Sequence, residues 1–420
     1  MQKDNVIELK KPETVTDLLT EVLRNGAQQL LAAAVKAEVE EFLSKYNQGE
    51  GTSRFVRNGY LPEREIQTGI GGVAVAVPRV RDRDSASDGI HFSSSIIPKY
   101  LRRSGSMNDL LPVLYLKGIS TNDFVEALTP LVGSEAKNLS PGVISRLKAT
   151  WEDDYKLWQK RSLKGKRYVY FWADGIHLQA RMEDSAECVL VIIGVTEQGN
   201  KELIALEAGH RESKESWLYL LRDIKHRGLN ESPKLAVGDG ALGFWGALTE
   251  IYGETKQQRC WFHKMGNVLD KLPKSLLPKA KKHLQEIWMA PTRKQAYEAF
   301  EYFIQSYGAK YPKATECLQK DKEELLAFYD FPADHWVHIR TTNPIESTFS
   351  MVRHRTYKSK GAFSRVTILT MVFKLCENAQ QHWYRVKGFN YLADVIQGIK
   401  FVNGTREVNK NDSVNEGAAA

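Results

Sequence analysis

Between residues 167 and 240 the chain alternates short apolar runs with charged and glycine-containing breaks, and this stretch limits the fold more than any other. Residues 168–172, 188–195 and 203–206 are apolar or alternating and of strand length, 217–224 has helical spacing, and 235–237 is a further short strand. Three strands, a helix and a fourth strand predict an α/β core. Asp174 closes the first strand in Trp172-Ala173-Asp174-Gly175, and Asp239 closes the fourth in Val237-Gly238-Asp239-Gly240. Strand ends in one sheet can bring two carboxylates within a few ångströms, which is unfavourable unless cations neutralise them. Hard oxygen donors of this kind select Mg²⁺ or Mn²⁺.

A third carboxylate lies in Thr342-Asn343-Pro344-Ile345-Glu346, where Asn343 suits a helix N-cap, Pro344 the first helical position and Glu346 the third. Alone, Glu346 reads as the glutamate of a capping box; with Asp174 and Asp239 it reads as a third ligand. Phosphoryl transfer by two metal ions roughly 4 Å apart needs little beyond such oxygens. In such chemistry the nucleophile would be water or a free hydroxyl, so no serine or cysteine nucleophile is required. The order of strands and helix is the opening of an RNase H-like fold, and the text from 267 to about 328 is helical.

A chain of 420 residues exceeds one core and predicts two to four domains. Its +8 net charge is unevenly spread: residues 1–50 sum to −3 and residues 343–400 to +6. Arg340, Arg353, His354, Arg355, Lys358, Lys360 and Arg365 flank Glu346, with Trp261 and Trp336 near the ligand positions in sequence. They read as phosphate contacts with aromatic platforms for a base, or as a solvated helix face. Four cysteines spaced 72, 57 and 59 residues apart give no disulfide framework and fit a reducing compartment. With no signal core and no membrane-length apolar run, a cytoplasmic, nucleoid-associated location is expected.

In the N-terminal half, residues 14–43 form an amphipathic helix, for packing or for dimerisation. Residues 65–81 predict a β-hairpin turning at 69–72, with Arg79, Arg81 and Arg83 as a basic edge, followed by Arg102 and Arg103. Ser120 can cap a helix reaching about 131, Gly133 suits a turn, and Ser140-Pro141 starts a second helix carrying Arg146 and Lys148. This is a helix-turn-helix pattern, though such pairs also serve as packing units. The expected divisions are 1–50 (helical), 51–165 (α+β, DNA-binding), 166–266 (core), 267–342 (all-α), 343–400 (core again) and 401–420 (disordered tail).

Several motifs resemble the bacterial branch of Mutator-type transposases: Asp239-Gly240 with Gly243-Phe244, Gln258-Arg259-Cys260-Trp261-Phe262-His263, and Thr341-Thr342-Asn343-Pro344-Ile345-Glu346-Ser347. Asn58-Gly59-Tyr60, Val77-Pro78-Arg79-Val80-Arg81 and Tyr100-Leu101-Arg102-Arg103 extend the likeness over roughly 50–395. The resemblance implies that Asp174, Asp239 and Glu346 are the DDE triad, that 267–340 is an insertion in the RNase H-like core, and that Cys260 and His263 support the site. It further implies an insertion-sequence enzyme that binds terminal inverted repeats of double-stranded DNA as a homodimer or higher oligomer, and cuts and joins with two Mg²⁺ ions, Mn²⁺ substituting. Two alternatives are a domesticated DNA-binding relative without catalysis and an RNase H-like nuclease without strand transfer. Cys260 and His263 with His335 and His338 also leave a four-ligand zinc site open.

Overall fold

The computed structural model describes residues 18–47, 53–84, 89–117, 119, 123, 126–129, 141–178, 187–209, 211–240, 242–359 and 364–407. The chain divides into two compact units, Met1–Leu147 and Lys148–Ala420.

The first unit contains α1 (Leu18–Tyr46), β1 (Phe55–Tyr60), β2 (Arg64–Thr68), β3 (Gly71–Val75), β4 (Pro78–Asp82), α2 (Gly105–Leu116) and the first turns of α3 (Pro141–Gln159). β2 and β3 pair as the expected hairpin, turning through Gly69 and Ile70. β4 leaves that hairpin and pairs with β1, from Phe55↔Asp82 to Tyr60↔Pro78, so Arg79 and Arg81 are exposed on a strand of a second sheet. Proline lacks the N–H a ladder needs, and Pro78 therefore starts its strand. α1 behaves as two halves. Val35 and Val39 are fully buried, Val35 against Ile66, Val73, Val75, Val77 and Ile97, whereas Leu18, Leu19, Val22, Leu23 and Leu30 are exposed. Of the expected helix-turn-helix, the second helix is α3; its first helix, apart from the helical residues 126–129, and the connection through Gly133 lie outside the described residues.

The second unit is built on β5 (Tyr168–Leu178), β6 (Glu187–Thr196), β7 (Lys201–Gly209), α4 (Lys214–His226), β8 (Leu235–Gly238), α5 (Leu242–Ile251) and β9 (Lys256–Arg259). The sheet order is β7-β6-β5-β8-β9; the first two pairings are antiparallel, and β5–β8 and β8–β9 are parallel. One face packs on α4 and α5, where Phe171, Ala173, Leu190 and Ile192 meet Trp217, Leu221, Phe244 and Leu248. On the other face Tyr170 and Trp172 are also fully buried. Tyr170 Oη lies 2.7 Å from His335 Nδ1, and Trp172 Nε1 donates to the His338 carbonyl at 3.1 Å. Burial on both faces explains why these strands read as continuous apolar runs.

β9, Lys-Gln-Gln-Arg, was not anticipated: a short polar strand at the sheet edge carries no period to read. After it come α6 (Trp261–Leu269), α7 (Leu277–Met289), α8 (Arg293–Tyr307), α9 (Pro312–Gln319), α10 (Asn343–Ser359) and α11 (Arg365–Gln380). Among the described residues between Arg259 and Phe401 there is no strand. Of the disordered tail expected over 401–420, residues 401–407 are folded and the rest lies outside the described residues. Phe401–Val402 and Thr405–Arg406 pair around Asn403 (φ 50°) and Gly404 (φ 80°), the two left-handed residues of a type I′ turn. Phe401 is buried, and Gly404 accepts from Ala333 N–H at 3.1 Å, so residues 401–407 belong to the second unit.

Ile192 lies on the interior strand β6 and is fully buried. Replacing it with alanine should cost about 2–5 kcal/mol in urea unfolding of the second unit; a loss below about 1 kcal/mol would contradict this placement.

Candidate active site

Asp174 does not end its strand. It is the seventh residue of β5, and β5 runs four residues further, to Leu178, paired there with β6 alone. What ends at this point is the partner strand: β8 pairs with β5 only up to Ala173↔Gly238. Asp174 and Asp239 therefore occupy the next position along two parallel strands, whose backbones stand roughly 4.8 Å apart. The alternation of β5 turns Asp174 to the face of Tyr170 and Trp172. Burial pushes its carboxyl up to about 7, with the charges of Asp239 and Glu212 adding to the rise and that of His263 opposing it. At 7% exposure this is an acid held among other acids.

Glu346 arrives from the opposite side on the first turn of α10. That helix begins at Asn343, so Thr342 takes the position expected of Asn343, and its carbonyl accepts from the N–H groups of Ile345 (2.9 Å) and Glu346 (3.0 Å). Thr342 Oγ1 also donates to Glu346 Oε1 at 2.8 Å. Thr342 N–H is directed instead at Cys260 Sγ, 3.4 Å away, so the reciprocal backbone bond of a capping box is replaced by one to sulfur.

The Cys-x-x-His pair explains itself through these contacts. Cys260 continues from β9, its N–H donating to Gly238 O at 2.8 Å, and its sulfur tethers Thr342. His263, in the first turn of α6, places Nε2 3.5 Å from Glu346 Oε1. Burial disfavours its imidazolium, but the Cys260 sulfur and the carboxylates of Asp174 and Glu346 outweigh that and lift it to about 9. His335 and His338 do not join this group. His335 Nε2 lies 2.8 Å from Gly388 O, and His338 Nε2 accepts from Lys387 N–H at 2.9 Å, with burial first among the causes holding His338 down to about 4.

The basic residues are placed unequally. Arg340 is half-buried, with Nε donating to Trp336 O at 3.2 Å and Nη1 to Trp288 O, its guanidinium lying over Phe328 and Trp336. It ties helices of the second unit together rather than facing out. Arg353 is exposed on α10; the side chains of Arg355 and Lys358, and all of Lys360, lie outside the described residues. In the first unit Arg103 is held below its ordinary value by burial and by the like charges of Arg146 and Arg102, so these three form one positive cluster. Arg146 is exposed and Lys148, on the same helix, is half-buried.

Two side chains at the site went unread in the sequence. Glu212, in the loop between β7 and α4, lies 3.3 Å from His177 Nε2, and its carboxyl is raised first by burial and then by Asp239. Arg259, at the end of β9, is buried, with Nε 3.2 Å from Asp321 Oδ2 and Nη1 packed on Gly240, the residue after Asp239. Glu212 carries no periodic or motif signal that separates it from an ordinary loop glutamate; Arg259 stands within the Gln258-to-His263 motif, of which only Cys260 and His263 were singled out.

The chain matches the family model described as Transposase, Mutator family, over residues 1–386. It is 52% identical over 286 residues to the transposase for insertion sequence element IST2 of Acidithiobacillus ferrooxidans, covering 66% of this chain and 94% of that protein. It is 48% identical over 298 residues to the transposase for insertion sequence element IS6120 of Mycolicibacterium smegmatis, covering 71% and 92%. The transposase for insertion sequence element IS905 of Lactococcus lactis is 28% identical over 386 residues, covering 91% and 95%.

The site's electrostatics set a pH dependence measurable in chelator. His263 is raised in the fold from 6.5 to about 9, so its stabilising share is complete below about pH 6.5 and is lost as pH rises through about 9. His263→Ala should lower stability at pH 6 and flatten the decline between roughly pH 7 and 9 in urea titrations. Parallel curves for the two proteins over that range would contradict the charged imidazole.

Proposed function

This chain belongs to the Mutator family of transposases, and from that premise we propose that it binds the terminal inverted repeats of an insertion sequence, cleaves there by hydrolysis and joins the 3′-hydroxyl ends to target DNA. Asp174, Asp239 and Glu346 are the ligands of two Mg²⁺ ions in this reading, with Mn²⁺ as a substitute. The observation that carries it is that Asp174 and Asp239 take the next positions on two neighbouring parallel strands where β8 stops beside β5, and that His263 lies close enough to both Asp174 and Glu346 for their carboxylates to favour its charged form. Their donors fit the ion: they are carboxylate oxygens, and the nearby Cys260 sulfur is turned to Thr342. When bound, such cations supply Lewis acidity to the attacking and leaving oxygens of an in-line displacement.

The chain's own contribution is placement. β5 and the end of β8 set the backbone positions of two carboxylates, and Thr342 holds the third by its hydroxyl. The strand order, two antiparallel pairings followed by two parallel ones, supports an RNase H-like core, with 267–342 as its all-α insertion. The arginines of the first unit and Arg146 and Lys148 on α3 supply positive charge for phosphates, in keeping with a helix-turn-helix that engages DNA ends. Acting on two ends calls for at least a dimer. Among the described residues no helix is long and apolar enough to cross a membrane.

On labelled terminal DNA with Mg²⁺, Asp239→Asn should abolish cleavage and joining while leaving end binding near wild type; strand joining by that variant would refute the assignment. Arg146→Ala should do the reverse, weakening binding and lowering the slope of log affinity against log salt by about 1. An unchanged salt slope would remove Arg146 from the interface.

A further inference from the structure

Gly175 and Gly243 make room for the same residue. Gly175 lies inside β5, where a glycine weakens a strand, and among the positive-φ glycines it does not appear. Its lack of a side chain is explained by space: a Cβ there would stand 2.5 Å from Glu212 Oε1, 2.6 Å from Cδ and 2.7 Å from Cγ. Gly243, on α5, is crowded by the backbone of the same loop, a Cβ there meeting Glu212 O at 2.4 Å and Ser213 C at 2.7 Å. One of these glycines follows Asp174 directly and leaves room for the Glu212 side chain, and the other, four residues after Asp239, leaves room for the backbone of the same loop.

The alternation of β5 turns Gly175 and His177 to the face opposite Asp174. Glu212 therefore approaches the end of β8 from the α4 side of the sheet, while Glu346 approaches from the other side. Its side chain is 18% exposed, and its Oε1 is the atom facing His177 Nε2. Asp239, just past the strand end, is close enough to raise the Glu212 carboxyl, and Glu212 in turn adds to the rise of Asp174. An ordinary loop glutamate would turn to solvent; this one is held within electrostatic reach of Asp174 and Asp239, a crowding that His177 and His263 offset in part and a bound cation would offset further.

The geometry points to Glu212 as a fourth carboxylate of the cation site, a ligand shared with Asp239 and oriented by His177. This rests on the assignment of Asp174, Asp239 and Glu346 above and adds to it a donor from the opposite face of the sheet. Glu212 binds the ion or the water it carries; His177 is a positioning residue.

The test is calorimetric titration of the full-length, chelator-stripped protein with MnCl₂, together with melting curves with and without Mn²⁺, for wild type, Glu212→Gln, Asp239→Asn and Gly175→Ala. Glu212→Gln should weaken Mn²⁺ binding roughly tenfold or more and should melt higher than wild type in chelator, because one like charge has left a crowded site. Gly175→Ala, which displaces the carboxylate without changing any charge, should also weaken Mn²⁺ binding. If Asp239→Asn loses Mn²⁺ while Glu212→Gln binds it as wild type does, Glu212 is a bystander and the three-carboxylate assignment stands. If Asp239→Asn also binds as wild type does, that assignment fails with it. Glu212→Gln melting below wild type in chelator would mean a structural role and would overturn the inference.

Discussion

Because β8 runs parallel to β5 and its pairing stops at Gly238, Asp174 and Asp239 are carried to adjacent positions by backbone hydrogen bonds, whatever their charges prefer. Every other feature of the site answers to that imposed crowding. Asp174 is buried and its carboxyl rises to about 7; His263 is drawn toward the charged state against the effect of its own burial. The energy for holding like charges together comes from the sheet, whose two apolar faces are buried on both sides. A site that costs stability while its surroundings supply it is the usual bargain of a functional centre.

The third carboxylate shows how distant segments are made to agree. Glu346 stands 172 residues from Asp174 in the chain, yet its position is fixed by short contacts that begin at β9. Cys260 N–H extends the ladder to Gly238, Cys260 Sγ receives Thr342, and Thr342 Oγ1 reaches Glu346. Trp261 N–H adds a bond to Arg340 O at 3.0 Å, just ahead of the Thr341-Thr342 step. In this fold the Cys-x-x-His motif places sulfur as an acceptor for Thr342 and imidazole as a counter-charge beside Glu346.

Much of this was legible in the chain, for identifiable reasons. β5 to β8 could be read because burial on both faces writes unbroken apolar runs; Asp174 and Asp239 stood out as carboxylates following such runs, although Asp174 proves to lie inside its strand, and Glu346 as an acid in a helix's first turn. What stayed hidden has no local signature. β9 is four polar residues at a sheet edge, and β4 pairs with β1 across the hairpin that separates them, a choice no period reveals. Asn403-Gly404 did carry a hairpin signal, but polar composition around it argued for a tail. Glu212 could be found only from the space that Gly175 and Gly243 leave, a fact of three dimensions. Arg340 read as a phosphate contact from charge alone; its two carbonyl partners appear only in the fold.

The central claim, that folding gathers three separated carboxylates around one divalent-cation site, is tested most directly by anomalous diffraction at the manganese edge from crystals soaked in MnCl₂. The account predicts density enclosed by Asp174, Asp239 and Glu346, and its loss in crystals of Asp174→Asn. Manganese bound elsewhere, with that space empty in wild type at saturating Mn²⁺, would contradict it.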